Sequence, residues 1–184
     1  YSIREMHKIR IGETMHPPRL EWPILYIVRG LPGTGKTTLA KTIAGIDKTK
    51  CLAADDYFYE NLGTHKAKYT FDPTKLTEAH KECLLKTSYW LTEGYSVVVH
   101  NTFSCRWEME PYLQKASAHN FRVTVLDLFD GGLTDDQLAA RGLHSVPVET
   151  ITKMRNRWEH DWGDANPLPP WERARGSRAD IRAL

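Results

Sequence analysis

Short apolar runs alternate along this chain with longer amphipathic stretches. Ile24-Leu25-Tyr26-Ile27-Val28 is apolar throughout, the mark of a strand buried on both faces of a parallel sheet. Thr37 to Ala44 keeps a helical period and predicts a helix stopped by Gly45. Lys50-Cys51-Leu52-Ala53 predicts a second, short strand that ends at Asp55-Asp56. Residues 57–71 are aromatic and polar without period, which predicts a loop or lid. Asp72-Pro73 supplies a helix cap and first helical position. Leu76, Ala79, Cys83, Trp90 and Leu91 form the apolar stripe of that helix, and Gly94 closes it. Tyr95 to Val99 predicts a third strand, Trp107 to Ala118 a helix, and Phe121 to Leu128 a fourth strand. Thr134 to Arg141 and Pro147 to Trp162 predict two polar helices. The first is capped by Thr134, with Asp135 and Asp136 at its positive end. Strands alternating with helices predict an α/β domain, a parallel sheet of four or five strands covered on both faces in three α/β/α layers.

No internal repeat is present. Residues 1–23 are polar, carry Pro17, Pro18 and Pro23, and read as an N-terminal extension. Residues 24–163 read as the domain. Residues 164–184, rich in Pro, Arg and Gly from Asn166 onward, read as a flexible tail with a mildly basic cast.

Between the first predicted strand and helix lies Gly30-Leu31-Pro32-Gly33-Thr34-Gly35-Lys36-Thr37, which spells G-x-x-x-x-G-K-T. Each letter has a physical task. Glycines let the backbone curl until successive N–H groups face one polyphosphate. Lys36 reaches the β- and γ-phosphates, and the Thr37 hydroxyl takes a coordination position on Mg²⁺. The helix that follows aims its positive end at the same anion. A plain glycine-rich turn is the competing reading. Strand, glycine loop and helix in that order are the context the motif requires, and they favour nucleotide binding, with ATP and Mg²⁺ as the implied ligands. The dinucleotide fingerprint fails, because Thr38 stands where its third glycine belongs.

Composition narrows the setting. The 184 residues are 41% hydrophobic and include six Trp, enough for one domain with a full core. A net charge of +2 is too small to argue for nucleic acid by itself. Cys51, Cys83 and Cys105 are odd in number and far apart, with no C-x-x-C or H-E-x-x-H, which speaks against a structural zinc site. They fit a reducing compartment, so a cytoplasmic or other intracellular location is expected, a host's cytoplasm included. No apolar run reaches membrane length and no signal peptide is seen. The chain is expected to be a monomer or a small homo-oligomer.

In parallel α/β sheets, ligands sit at the carboxyl ends of the strands. Asp55-Asp56-Tyr57, His100-Asn101-Thr102 and the segment after Leu128 should therefore converge on the glycine loop. A carboxylate ending the second strand can deprotonate an incoming hydroxyl or hold Mg²⁺ through water. It can equally be a polar strand end or a cap. Arg141 can stabilise charge on a transferring phosphoryl group, or be a solvated surface residue. Tyr57, Phe58, Tyr59, Tyr69, Phe71, Phe103 and Trp107 can be core and lid packing or a stacking platform for a base. Lys66, Lys68, Lys75, Lys81 and Lys86 can line a phosphate track or form a solvated face. His65, His80, His144 and His160 show no metal spacing, so surface or lid roles are expected of them.

The ordered combination of motifs resembles the polynucleotide-kinase-like P-loop kinases. Gly30 to Thr38 reads G-L-P-G-T-G-K-T-T, similar to the G-x-P-G-x-G-K-[ST]-T of that family. Asp55-Asp56-Tyr57 resembles its D-D-Y, whose first Asp activates the acceptor hydroxyl. Arg141-Gly142-Leu143-His144-Ser145-Val146-Pro147 resembles its R-G-x-x-x-V-P lid segment, whose Arg contacts the donor phosphates. Thr70-Phe71-Asp72-Pro73 and Trp107-Glu108-Met109-Glu110-Pro111-Tyr112 resemble eukaryotic and viral members. The likeness covers roughly residues 24–162. It implies a P-loop NTPase fold with a helical lid, and γ-phosphate transfer from ATP to a nucleic-acid hydroxyl, a 5′ end or a hydroxymethylated base. A nucleoside, nucleotide or metabolite is the alternative acceptor. Two departures concern the acceptor. His100-Asn101-Thr102-Phe103 stands where the family has Asp-x-Asn or Asp-Asn-Thr-Asn, and Phe58 where phage members carry an acceptor-phosphate Arg. Implied donor-site residues are Gly30 through Thr38 and Arg141. Implied catalytic residues are Lys36, Asp55 and Arg141, with Thr37 and Asp55 at the metal and Asp56, Tyr57, Asn101 and Phe103 at the acceptor. No N-K-x-D element of a switch GTPase and no L-S-G-G-Q of a transporter ATPase is present.

Overall fold

The computed structural model describes residues 23–46 and 48–159. The readings made on residues 1–22 and 160–184, extension and tail, lie outside the described residues.

Strand β1 (Ile24–Arg29) leads through the glycine loop into helix α1 (Lys36–Ile46). Strand β2 (Lys50–Leu52) follows, then a 3₁₀ turn over Ala54–Phe58. Two short strands, β3 (Tyr59–Glu60) and β4 (Lys68–Tyr69), pair antiparallel. Helix α2 (Leu76–Thr92), strand β5 (Val97–His100), helix α3 (Arg106–Ala118) and strand β6 (Arg122–Asp127) complete the sheet and its cover. Helices α4 (Asp135–Arg141) and α5 (Val148–Asn156) come last.

The main sheet has four strands in the order β2-β5-β1-β6, and every pairing in it is parallel. Its register explains its two cores. Leu25 aligns with Val97 and Ile27 with Val99, so these four side chains share one face. They pack with Ala79, Cys83 and Leu91 of α2 and Met109, Tyr112 and Ala116 of α3. Val28 and Val98 point the other way, onto Ala40 of α1. The apolar run Ile24–Val28 of β1 is thus required by cover on both sides, as predicted. A third cluster joins Leu31 of the glycine loop to Leu138, Ile151 and Trp158. It seats α4 and α5 at the carboxyl ends of the strands.

Local signals placed most elements. Asp72 Oδ1 accepts from Thr74 N at 2.9 Å and opens a 3₁₀ turn, Pro73–Lys75, that runs into α2. Thr134 and Gln137 cap α4 reciprocally, at 3.2 and 2.9 Å. Two helix ends and one loop differ most from expectation. Helix α1 runs through Gly45 to Ile46, and the chain reverses at Lys48, whose φ is +51°. A glycine in a last turn costs only about 1 kcal/mol against Ala and need not end a helix. Helix α5 stops at Asn156 rather than continuing to Trp162, because Trp158 turns inward to complete the third cluster. The segment 57–71 contains the β3–β4 pair, which shows no period because each strand has two residues.

Candidate functional site: a phosphate loop facing an aromatic-lined carboxylate

The parallel sheet delivers four chain segments to one end. Gly30 N donates to the Thr102 carbonyl at 3.2 Å, which binds the start of the loop to the segment after β5. Thr34 N and Oγ1 both donate to Leu31 O, at 3.3 and 2.7 Å, and curl the loop. Gly33 and Gly35 have φ of +82° and +96°, a region costly for any side chain. At Gly33 space is also absent, since a Cβ would lie 2.3 Å from the Leu138 carbonyl oxygen. The glycine loop is therefore pressed directly against α4.

Lys36 opens α1 and folds back over the loop, its ammonium donating to Leu31 O at 2.9 Å. Burial pushes its pKa down to about 8, with the Asp55 charge pulling the other way. A half-buried cation with one carbonyl for company is a site made for an anion. His100, at the end of β5, is pushed down to about 4, mainly by burial and then by Lys36. It stays neutral beside the loop at ordinary pH.

One residue in β1 holds this floor together and was not singled out in the sequence, where the strand was ended at Val28. Arg29 is fully buried. Its Nε donates to Phe103 O at 2.9 Å, and its Nη2 to Ser104 O at 3.1 Å and Glu159 O at 3.2 Å. Its guanidinium lies 4.3 Å over the Trp158 ring, and Nη1 is 3.7 Å from Asp127. Burial lowers its pKa, opposed by Asp127.

Across from the loop, the 3₁₀ turn presents Asp55, whose side chain is 49% exposed. Tyr69 of β4 donates its hydroxyl to Asp55 Oδ1 at 3.4 Å. His144, from the link between α4 and α5, brings Nε2 to 3.7 Å from Oδ2. Tyr59 and Tyr69 pack at 5.0 Å beside them. Burial, then the Asp55 charge, raises the Tyr69 phenol, which keeps it a donor. His144 was expected only in a surface or lid role. No local signal marks it, because its partners lie far off in sequence.

The other expected acceptor residues turn inward. Asp56 accepts from Ala53 N at 2.9 Å and caps its own turn, and burial raises its pKa. Asn101 is buried, with Oδ1 accepting from Ala54 N at 2.8 Å. Phe103 is only 3% exposed and packs edge-on against Tyr112 at 5.4 Å. Its left-handed φ of +48° drives the ring into the core, so it offers no face for stacking. Tyr57 is half-buried against Phe58, and Phe58 is itself core. Arg141 is exposed at the last turn of α4, the helix that rests on Gly33. Among the lysines, Lys75 pairs with Glu78 at 3.6 Å and Lys86 pairs with Glu82, as on an ordinary solvated helix face. Lys66 and Lys68 are exposed on the β3–β4 hairpin.

Comparison with known proteins matches residues 25–160 to the AAA domain family. The chain belongs to that family. This P-loop domain binds nucleotide, as its glycine loop requires. Human NEDD4-binding protein 2 is 33% identical over 139 residues, 74% of this chain but only 8% of that much longer protein. Two solved structures share the AAA domain's fold. One is the Pnkp1/Rnl/Hen1 RNA repair complex, with a TM-score of 0.53 and 19% identity over 79% of this chain and 45% of that one. The other is a gluconokinase from Sinorhizobium meliloti, with a TM-score of 0.51 and 16% identity over 79% of this chain and 80% of that one. Among the described residues, no helix is long and apolar enough to cross a membrane.

Proposed function

We propose that this AAA domain is an ATP-dependent phosphotransferase that acts on an alcohol group carried by a nucleic acid. The observation that carries the reading is Asp55. An exposed carboxylate stands at the carboxyl end of β2, close enough to Lys36 for their charges to interact. Tyr69 and His144 touch that carboxylate and Tyr59 packs on both rings, so it has ring surface beside it.

The division of labour follows from the side chains. The loop amides and Lys36 hold the β- and γ-phosphates. Asp55 takes the proton from the acceptor hydroxyl, whose oxygen forms the new bond to phosphorus as the bond to the β-phosphate oxygen breaks. Arg141 reaches the donor phosphates from the end of α4. The donor set suits Mg²⁺: Thr37 stands in the first turn of α1 next to Lys36, and a hydroxyl with phosphate oxygens is the hard-oxygen set that ion takes. That ion would be held by the Thr37 hydroxyl and the nucleotide's phosphate oxygens, with Asp55 able to reach it through water. When bound, it neutralises charge on the transferring phosphate.

For the acceptor, Tyr59 and Tyr69 offer ring surface beside Asp55, and Lys66 and Lys68 offer charge on the same hairpin. One observation favours a second reading. Phe58, where phage kinases of the resembling family carry an arginine for the acceptor phosphate, is buried in the core. An uncharged nucleoside or metabolite hydroxyl fits that loss. Labelled ATP incubated with DNA, RNA, hydroxymethylated DNA, nucleosides and sugar acids decides between them. Label on nucleic acid supports the first reading, label on a free small molecule the second, and label on none of them removes both.

A further inference from the structure

The link between α4 and α5 treats adjacent residues oppositely. Leu143 is 79% exposed, yet the neighbouring His144 side chain is only 20% exposed. Ser145 adopts a φ of +50°, a left-handed conformation that serine rarely enters. That turn sends Leu143 outward and His144 inward. The imidazole lies on the Tyr69 ring, with centroids 4.2 Å apart and planes at 32°. Tyr59 meets it edge-on at 5.9 Å and 73°. Nδ1 is buried without a hydrogen-bond partner among the described residues, while Nε2 faces Asp55 Oδ2 at 3.7 Å. The two carboxylate oxygens of Asp55 are thus approached from separate elements, Oδ1 by Tyr69 and Oδ2 by His144.

We propose that His144 is a positioning residue for Asp55. Its Nε2 offers Oδ2 a polar contact, at 3.7 Å longer than a hydrogen bond, that keeps the carboxylate near the orientation that meets an acceptor hydroxyl, and Tyr69 and Tyr59 hold the ring that carries it. Without this hold, a half-exposed aspartate on a short turn samples several rotamers, and few of them point at the acceptor. The hold also ties the carboxylate to the donor site. His144 follows α4 in the chain, and the Leu138 carbonyl of α4 fills the space beside Gly33. The lid that rests on the phosphate loop is therefore the part that steadies the acceptor-side base.

The proposal rests on the phosphotransferase reading, and the experiment separates the two. Turnover is measured with labelled ATP and the acceptor found in the panel, for wild type, Asp55→Asn, His144→Phe, His144→Gln and the double variant Asp55→Asn with His144→Phe. His144→Phe keeps a ring for Tyr69 but has no N–H. His144→Gln keeps an N–H within reach of Asp55 but has no ring. Positioning predicts that His144→Phe lowers kcat by about 10-fold or more with KM for ATP unchanged. It predicts that His144→Gln restores most of the loss, and that His144→Phe adds nothing in the Asp55→Asn background. Wild-type turnover by His144→Phe, or full additivity in the double variant, overturns the proposal while the phosphotransferase reading stands. A wild type that labels no acceptor, or an Asp55→Asn that turns over normally, overturns both. Thermal melting of each variant guards the result: a kcat loss that tracks a lowered Tm in His144→Gln but not in His144→Phe means the ring only packs, and it too overturns the proposal.

Discussion

The two sides of the cleft are built from different materials. The phosphate loop is mostly backbone: curled amides, two left-handed glycines and a helix start, joined by the Lys36 and Thr37 side chains, all within eight consecutive residues. The side proposed to meet the acceptor is side chains: Asp55, Tyr69 fourteen positions later, and His144 from the link between α4 and α5. Electrostatics divide the same way. Lys36 is buried enough for its pKa to fall to about 8, whereas Asp55 stands half in solvent. Backbone geometry tolerates almost no substitution, and a side-chain constellation can be retuned one residue at a time. A division of this kind lets one fold carry different chemistries; this fold is shared with an RNA repair complex and a gluconokinase.

The largest expected effect breaks the donor side chemically and leaves the fold alone. Lys36→Ala should lower phosphoryl transfer by ~10³-fold or more while Tm stays level or rises, since a desolvated cation is removed. Labelled-phosphate transfer beside a melting curve checks both halves. Gly33→Ala breaks the same side sterically. A positive φ and a Cβ driven into the Leu138 carbonyl should destabilise by about 2–4 kcal/mol and weaken ATP binding. Gly35→Ala, with nothing within 4 Å of its added Cβ, should cost less. Equal losses at the two positions would show that the contact with α4 is unimportant. On the acceptor side, Asp55→Asn should leave ATP binding intact and lower turnover by ~10²-fold. Loss of ATP binding instead would show that Asp55 serves the metal and nucleotide rather than the acceptor hydroxyl.

A pH measurement sharpens the comparison further. His100 is held near pKa 4 in the folded chain against an ordinary 6.5. Between those values the unfolded chain takes up a proton that the folded chain refuses. Stability is therefore fully present above about pH 6.5 and falls toward pH 4, by on the order of 3 kcal/mol over the whole window. Asp56, raised by burial, opposes this slope at its acid end, because there the folded chain binds the extra proton. Chemical denaturation at pH 7 and pH 5 should show the loss in wild type and a reduced loss in His100→Asn. The smallest effect concerns Lys66 and Lys68. If they meet acceptor phosphates, replacing both with Ala should weaken single-strand binding severalfold and reduce the log–log salt slope by roughly 1–2. An unchanged slope would leave the nucleic-acid reading without its cationic support.

What could be read from the residues was what is local. The glycine loop, the apolar β1, the Asp72 and Thr134 caps and the position of Asp55 at a strand end each depend on a few neighbours. The strand order did not show, nor did the β3–β4 pair, whose two-residue strands have no period to detect. Asp56, Asn101 and Phe103 stood in the expected places along the chain but turned inward. A 3₁₀ turn and a left-handed Phe103 decide their direction, and neither has a sequence signature. Arg29 followed an apolar run and passed unremarked, although its partners come from as far as Glu159. His144 is the same case on the acceptor side.

Arg29 also sets a timetable. The strand that carries it is among the first parts of the domain to be synthesised, and Trp158 and Glu159 lie 129 and 130 positions later. Until they emerge, the guanidinium beneath the phosphate loop lacks its aromatic cover and one carbonyl acceptor. A buried cation in that condition is strongly unfavourable, so the loop's floor should not close on a nascent chain. Nucleotide affinity should then appear late and abruptly in a series of stalled or truncated chains, between an end at Asn156 and an end beyond Glu159. A gradual rise from the completion of α1 onward would mean that the loop needs no floor at all.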